Sequence, residues 1–144
     1  MSRNLKISFY LYSFVLFCFF VISVVYMSRG EFMPYHAVAV NMSWSEVPTN
    51  FQTLILAGIH AIGTLLFTVA SAIGVILYIP FKQDIVWAKY GVGVLSILVS
   101  FSLLFVVLYV RANTEALPPL YPLVIILSIV IVSFFFSFKK EKTI

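Results

Sequence analysis

Long apolar runs, separated by short polar connections, dominate the hydrophobic pattern of this chain. Asp, Glu, Lys and Arg are absent from four runs, residues 7–28, 47–81, 90–110 and 116–138. Each run reaches the roughly 20 residues that an α-helix needs to cross the hydrocarbon core of a bilayer. The pattern therefore predicts four transmembrane helices.

Helix-breaking and capping residues indicate where these helices begin and end. Thr49 and Gln52 match a capping box before the second helix, and Pro80 stops it. Pro122 falls in the first turn of the fourth helix, where a missing N–H is harmless. The predicted helices span about 7–28, 50–79, 86–110 and 119–138. The chain is thus predicted to be all-α, an integral membrane four-transmembrane-helix bundle in one domain (1–144), with an outer loop over 29–49.

Composition supports a membrane setting. The 144 residues are 62% hydrophobic and 10% charged, whereas a soluble domain carries about 25% charged residues. The lipid bilayer is therefore the predicted solvent. A single cysteine, Cys18, excludes an intrachain disulfide and a cysteine zinc site. The net charge of +4 forms no basic stripe, so no nucleic acid partner is expected.

The distribution of basic residues predicts the orientation. With four spans, both termini and the connection after the second helix share one side of the membrane. That side holds seven basic residues, and the other side holds two, Arg29 and Arg111. By the positive-inside rule, both termini are predicted to be cytoplasmic. The seven are Arg3, Lys6, Lys82, Lys89, Lys139, Lys140 and Lys142.

Small and polar residues recur at helical spacing along the second helix. We predict that they form its inner face: Thr53, Ala57, His60, Gly63, Thr64, Phe67, Ser71, Gly74 and Tyr78. The opposite, lipid-facing side is predicted to hold Ile55, Ile59, Ile62, Leu66, Val69, Ile73 and Ile76. The second and third helices are then expected to be the closest pair. Helix packing is the first interpretation of the stripe, and a pore or ligand path is the alternative.

His60 is the only side chain within the four spans that titrates near neutral pH. Ionisable groups inside a membrane are costly and often functional, although burial favours a neutral imidazole. Three interpretations stay open: a hydrogen bond across the bundle, a contact to a ligand or a proton relay, and an axial haem ligand. Thr64 lies one turn further along the same face.

The outer loop is the other candidate region. Its aromatic residues predict a lid over the outer mouth of the bundle, and Ser43 with Glu46 predicts a capped short helix. The candidate ligand-binding residues are His60, His36, Tyr35, Trp44, Thr64 and Gln52. His36 and His60 would allow haem, or copper with neighbouring methionines, but their spacing is not diagnostic of a metal site. No catalytic residue and no metal ligand set is predicted, and the cofactor is left unknown.

Short motifs carry a resemblance to a known group. Residues 31–36 read EFMPYH, Trp44 follows, and residues 79–82 read IPFK. These motifs resemble those of small, uncharacterised four-span bacterial inner-membrane proteins with an outer MPYH-type loop. The resemblance implies a bacterial cytoplasmic membrane and transfers no activity.

Three functions stay open at this point. The first is a non-enzymatic protein that binds a lipophilic ligand or a partner membrane subunit through the outer loop and the upper bundle. The second is a small transporter or channel built as a homo-oligomer. The third is a haem- or quinone-linked redox subunit. The lack of an intramembrane carboxylate argues against an ordinary proton-coupled exporter.

Overall fold

The computed structural model describes residues 1–139, and within that range the chain is helical without strands. Lys140 and Lys142, which contribute to the predicted orientation, lie outside the described residues. Short 3₁₀ turns occur at Trp44–Glu46 and Phe81–Gln83. The α-helices are α1 (Arg3–Met27), α2 (Pro34–Val40), α3 (Thr49–Tyr78), α4 (Val86–Asn113) and α5 (Leu120–Phe138).

Four of these helices, α1, α3, α4 and α5, are long and apolar enough to cross a membrane. The all-α prediction with four long apolar helices is therefore confirmed. Two helices are longer than predicted. α1 begins at Arg3 and not at residue 7, and α4 ends at Asn113 and not at residue 110. α1 begins early because the Ser2 hydroxyl caps it, accepting a hydrogen bond from the Leu5 N–H at 3.2 Å.

The long helices form a ring in chain order. α1 packs along both α3 and α5, α4 packs against α5, and the contact between α3 and α4 is the smallest of the four. Each long helix runs antiparallel to the next, as in an up-and-down bundle. The prediction that the second and third helices, α3 and α4, form the closest pair is wrong, because α1 and α3 do.

Gly63 explains why α1 and α3 approach so closely. A Cβ atom added at Gly63 would lie 2.9 Å from the backbone nitrogen of Met27 and 2.9 Å from the carbonyl oxygen of Ser23. Only glycine leaves room for the α1 backbone at this point. On the other side of α1, the Ser8 hydroxyl donates to the Ser133 carbonyl on α5 at 2.7 Å. Small residues and interhelical hydrogen bonds of this kind hold helices together where the surroundings are apolar.

The packed face of α3 is not the face expected from the sequence. Its buried residues are Ile59, Gly63, Leu66, Ala70, Ile73 and Leu77. Ile59, Leu66 and Ile73 were expected to face lipid, whereas Thr53, Ala57 and Thr64, expected inside, are exposed. The inner-face prediction is therefore wrong for Thr53, Ala57 and Thr64. It is right for Gly63, and Gly74 and Tyr78 of the predicted face also approach α1. The helix is rotated because branched aliphatic side chains fill the gap between helices better than hydroxyls do.

The bundle has two distinct ends. The terminal end carries Ser2, the turn Phe81–Gln83 and Lys139, and the loop end carries α2, the turn Trp44–Glu46 and the connection between α4 and α5. At the loop end, the Arg111 guanidinium donates to the Pro118 carbonyl at 2.8 and 3.1 Å and closes that connection. At the terminal end, Phe81 is fully buried and anchors its turn in the core.

Candidate functional site

The loop between α1 and α3 packs on a part of α3 that extends beyond the end of α1. Gly63 contacts Met27, the last residue of α1, so residues 49–62 of α3 continue past α1. At about 1.5 Å per residue, this extension is roughly 20 Å long. Phe32 and Val47 of the loop are buried with Ile59 of α3 in a small separate core. The loop is therefore a packed cover on one side of α3.

His60 joins this extension to the loop. Its Nε2 atom lies 2.8 Å from the carbonyl oxygen of Arg29, and a carbonyl can only accept, so Nε2 carries the proton. The ring thus takes part in a structural hydrogen bond, although its partner is the loop backbone and not a group across the bundle. The Thr64 hydroxyl binds the His60 backbone and not the ring. It donates to the His60 carbonyl at 2.8 Å, and the Thr64 side chain is exposed.

His36 stabilises the start of α2. Its Nδ1 atom accepts a hydrogen bond from the Met33 N–H at 3.3 Å, which requires an unprotonated Nδ1. The ring lies edge-on to Tyr35 at 4.4 Å and to Phe32 at 6.4 Å between centroids. Burial lowers the pKa of His36 below its ordinary value. The neutral imidazole is therefore the form that this loop requires.

The remaining candidates hold the loop together. The hydroxyls of Tyr35 and Tyr26 lie 3.0 Å apart, and burial, followed by that hydrogen bond, raises the pKa of Tyr35. The Trp44 ring lies edge-on to Phe32 at 4.9 Å. Gln52 donates from Nε2 to the Trp44 carbonyl at 2.9 Å.

Two capping predictions have different outcomes. The capping box of Thr49 and Gln52 is wrong, because Pro48 is the N-cap of α3 and Gln52 binds the loop instead. The pairing of Ser43 with Glu46 is confirmed, since the Glu46 carboxylate accepts from both the N–H and the hydroxyl of Ser43 at 2.7 Å. These hydrogen bonds lower the pKa of Glu46.

An open cleft of about 720 Å³ lies on the other side of the loop. It runs between α2 and the end of α4, and its lining includes Val38, Met42, Glu46, Asn113 and Glu115. Within residues 1–139, none of the six candidate ligand residues lines it. Sequence reasoning missed this cleft, because it depends on how the two connections at the loop end approach each other.

The described residues contain no group of three or more His, Cys, Asp and Glu side chains that could hold a metal ion. His36 and His60 each use one ring nitrogen in a hydrogen bond to the loop backbone. The structure therefore places Tyr35, His36 and Trp44 in the folded cover, and Gln52 and His60 of α3 bind its backbone. Thr64 does not take part in it.

A second surface stands out on the exposed side of α3. We name it the α3 outer stripe, and it consists of Thr53, Ala57, Ala61, Thr64 and Thr68, all exposed. At about 100° per residue these five positions share one side of the helix. The sequence pattern predicted that Thr53, Ala57 and Thr64 lie on the inner face of the helix. It did not indicate a role for Ala61 and Thr68.

The hydroxyls of the stripe bind to the helix itself. Those of Thr53, Thr64 and Thr68 donate to the carbonyls four residues earlier, at 3.1, 2.8 and 2.9 Å. Each hydroxyl is thereby satisfied, and the stripe presents mainly methyl groups. The exposed faces of the other long helices carry bulky side chains instead, such as Phe17, Leu98 and Phe135.

No protein-family model matches this sequence, and no curated protein or solved structure is significantly similar to it. The resemblance to small four-span bacterial proteins therefore stays a prediction, and the functional argument depends on the surfaces described above.

Proposed function

We propose that this chain is a non-enzymatic, multi-pass membrane protein that binds a partner membrane subunit through the α3 outer stripe. The exposed row of small residues on an otherwise bulky apolar surface is the observation that carries this proposal. The loop packs on a neighbouring side of α3, along residues 49–62, and holds this part of the helix in place for such a contact.

The exposed apolar surface supports membrane insertion. Phe17, Leu98, Phe105 and Phe135 are each more than half exposed on the long helices. Monomeric soluble proteins rarely expose large contiguous apolar patches. In a bilayer these side chains would face lipid, and helices of this length would reach across the hydrocarbon core.

Charge supports the predicted orientation. Within residues 1–139, the terminal end has one acidic residue, Asp84, and five basic residues. The loop end has two basic residues and three acidic ones. The positive-inside rule then favours a cytoplasmic terminal end, and the resemblance to bacterial proteins favours the inner membrane. A reporter that is active only in the cytoplasm should be active when fused after Ile144. Activity of a reporter that works only outside the cytoplasm, fused at the same place, would contradict this orientation.

The outer stripe has the chemistry of a contact between transmembrane helices. Ala57 with Ala61, and Thr64 with Thr68, repeat a small residue every fourth position, which lets helix backbones approach closely. The stripe runs from residue 53 to residue 68, about 22 Å along the helix. Small side chains leave a shallow groove that lipid tails fill less well than another helix does.

A second copy of this chain is the partner that we propose. A stripe running along one helix is self-complementary about a two-fold axis normal to the membrane, so both copies keep the same orientation. Two copies would then meet α3 against α3, with Ala61 close to the axis. This arrangement requires no segment outside the described residues.

The test changes the stripe without changing the bundle. The double substitution Ala57→Leu and Ala61→Leu fills the groove with side chains that the isolated chain tolerates, because both positions are exposed. We expect native mass spectrometry in mild detergent to show a dimer for the wild-type chain and a monomer for the variant. Val94→Leu, on the exposed face of α4, is the matched control and should remain dimeric.

Cross-linking in membranes gives an independent readout. In a Cys18→Ser background, Ala61→Cys should form a disulfide between two copies, whereas Leu98→Cys on α4 should not. A monomeric wild-type chain, or a dimer unaffected by the leucine substitutions, would contradict the proposal. A complex of the wild-type chain with a different protein and no second copy would also contradict the proposed partner.

A further inference from the structure

Lys82 occupies an unusual position at the terminal end. Its Nζ atom lies 4.7 Å from the ring centroid of Phe9 and 4.8 Å from that of Tyr78. The two rings meet edge-on at 5.1 Å, and the Tyr78 hydroxyl donates to the Ser13 hydroxyl at 3.3 Å. Phe81, fully buried beside Lys82, holds the turn in place. The ammonium group therefore rests on an aromatic floor where α1 meets α3.

Among residues 1–139, no carboxylate lies in an ion pair with this ammonium group. Within residues 1–139, neither Lys82 nor Lys6 pairs with a carboxylate, and Asp84, the one acidic residue described at this end, pairs with Lys89. Lys6 is exposed and lies one turn before Tyr10 on the edge of α1 that adjoins α3. Lys82 lies over Phe9, three residues along α1 from Lys6, so both lysines belong to the junction of α1 and α3 and neither has a carboxylate partner within residues 1–139.

An apolar surface continues from these cations along the same junction. Tyr10 is 69% exposed and Phe17 is 64% exposed, and both lie on the same edge of α1 as Lys6. Tyr78 is half exposed on the α3 side. A free phosphate would use only the cations, whereas a phospholipid would use the cations with its headgroup and the apolar edge with its acyl chain.

We propose that Lys82 and Lys6 bind the phosphate of an anionic phospholipid whose acyl chain lies along Tyr10 and Phe17. Lys82 donates from the side opposite the two rings, which hold its ammonium group without neutralising it. Basic residues beside the cytoplasmic leaflet attract anionic lipids in general. Lys89 and Lys139 each lie over a single ring, at 5.7 and 5.6 Å, whereas Lys82 lies closer and over two rings, which fixes its ammonium group more firmly at the junction.

The inference rests on the membrane location within the proposed function, but it is independent of the α3 contact between copies. A chain that fails to enter the membrane fraction would contradict the location itself. A chain that inserts but shows no headgroup preference would contradict only the lipid site.

Purified full-length protein in a neutral detergent, mixed with phosphatidylglycerol or with phosphatidylcholine, provides the test. Native mass spectrometry should show bound phosphatidylglycerol well in excess of phosphatidylcholine. Lys82→Gln should reduce phosphatidylglycerol affinity about fivefold or more, the effect of losing one lysine contact at a membrane surface. Lys82→Arg should retain most of the binding.

Lys89→Gln is the matched control, since it removes one charge from the same end but from a lysine already paired with Asp84. It should change the affinity less than twofold. Equal losses in Lys82→Gln and Lys89→Gln would show diffuse attraction and overturn the site. Equal binding of the two lipids would also overturn it, as would full displacement of phosphatidylglycerol by millimolar inorganic phosphate. Circular dichroism of each variant checks that the helices are intact.

Discussion

Both faces of α3 carry small residues, yet only one of the faces is packed within the bundle. The inner face combines Gly63 and Ala70 with Ile59, Leu66 and Ile73 and packs mainly against α1. The outer face carries the exposed alanines and threonines of the outer stripe. Small residues therefore serve close packing on one side of the helix and, by our proposal, assembly on the other.

The threonines show what separates the two faces. Their hydroxyls bind to the carbonyls of their own helix, so they need no partner and can face an apolar environment. The inner face is stabilised by shape complementarity and not by side-chain hydrogen bonds, because close packing favours side chains that fill the volume between helices. Polarity alone is thus a poor guide to the inner face of a helix in this bundle.

Substitution of two glycines of α3, Gly63 on the packed face and the exposed Gly58, should give the largest difference in the free energy of unfolding. Gly63→Ala should lower the free energy of unfolding by about 3 kcal/mol, because the new methyl group meets backbone atoms of α1 that cannot rotate away. A Cβ added at Gly58 meets nothing within 4 Å. Gly58→Ala should therefore leave the stability unchanged or raise it by up to about 1 kcal/mol through helix propensity.

Denaturant titration in detergent micelles, followed by circular dichroism, measures both glycine variants. Similar free energies of unfolding for the two would show that α1 and α3 do not approach closely at Gly63. That result would remove the contrast between the two faces.

His60 lies between the two faces and tests how the loop is held on the helix. His60→Ala removes the hydrogen bond to the Arg29 carbonyl and should destabilise the covered state of the loop by about 1 kcal/mol. Hydrogen exchange of the amides in residues 28–48 should rise about fivefold, the factor that corresponds to 1 kcal/mol.

Thr64→Val is the neighbouring control for His60. It removes a hydroxyl that binds only to its own helix, and exchange of the loop amides should stay unchanged. If His60→Ala and Thr64→Val behave alike, the imidazole does not hold the loop.

The pH dependence of the loop is the smallest expected effect. Burial lowers the pKa of His36, and the fold needs its neutral Nδ1. At pH values above about 6.5, the usual pKa of histidine, the ring is neutral whether the loop is packed or open. As the pH falls below about 6.5, the open loop gains its proton first, so the packed loop loses stability.

Trp44 fluorescence in a Trp87→Phe background reports this opening, since Trp44 packs against Phe32 in the covered state. We expect the emission to shift to longer wavelengths as the pH falls below about 6.5. His36→Gln keeps an acceptor that does not titrate and should abolish the shift. A shift of equal size in this variant would assign the opening to another group.

Much of the architecture could be predicted because its signals are local. Runs without charged residues reveal the four long helices, and Pro80 marks the end of one of them. Glu46 pairs with Ser43 three residues away, within a single turn. The candidate residues of the loop were also recognised as a group, since their aromatic composition is visible in a short segment.

The sequence did not reveal which atoms those candidates contact. The partner of His60 is a backbone carbonyl 31 residues away, and Gln52 binds the carbonyl of Trp44 instead of capping its own helix. Backbone carbonyls have no signature in the sequence, so such contacts become known only when the loop is placed on the helix. The cleft between α2 and α4 depends on tertiary structure for the same reason.

The sequence by itself determined the number, order and approximate length of the four long helices, because uninterrupted apolar runs and proline breaks act within each segment. The tertiary structure decided which face of α3 meets α1 and which is left exposed. That choice depends on the fit between two helix surfaces, above all on the space at Gly63, and periodicity cannot distinguish two faces that both carry small residues.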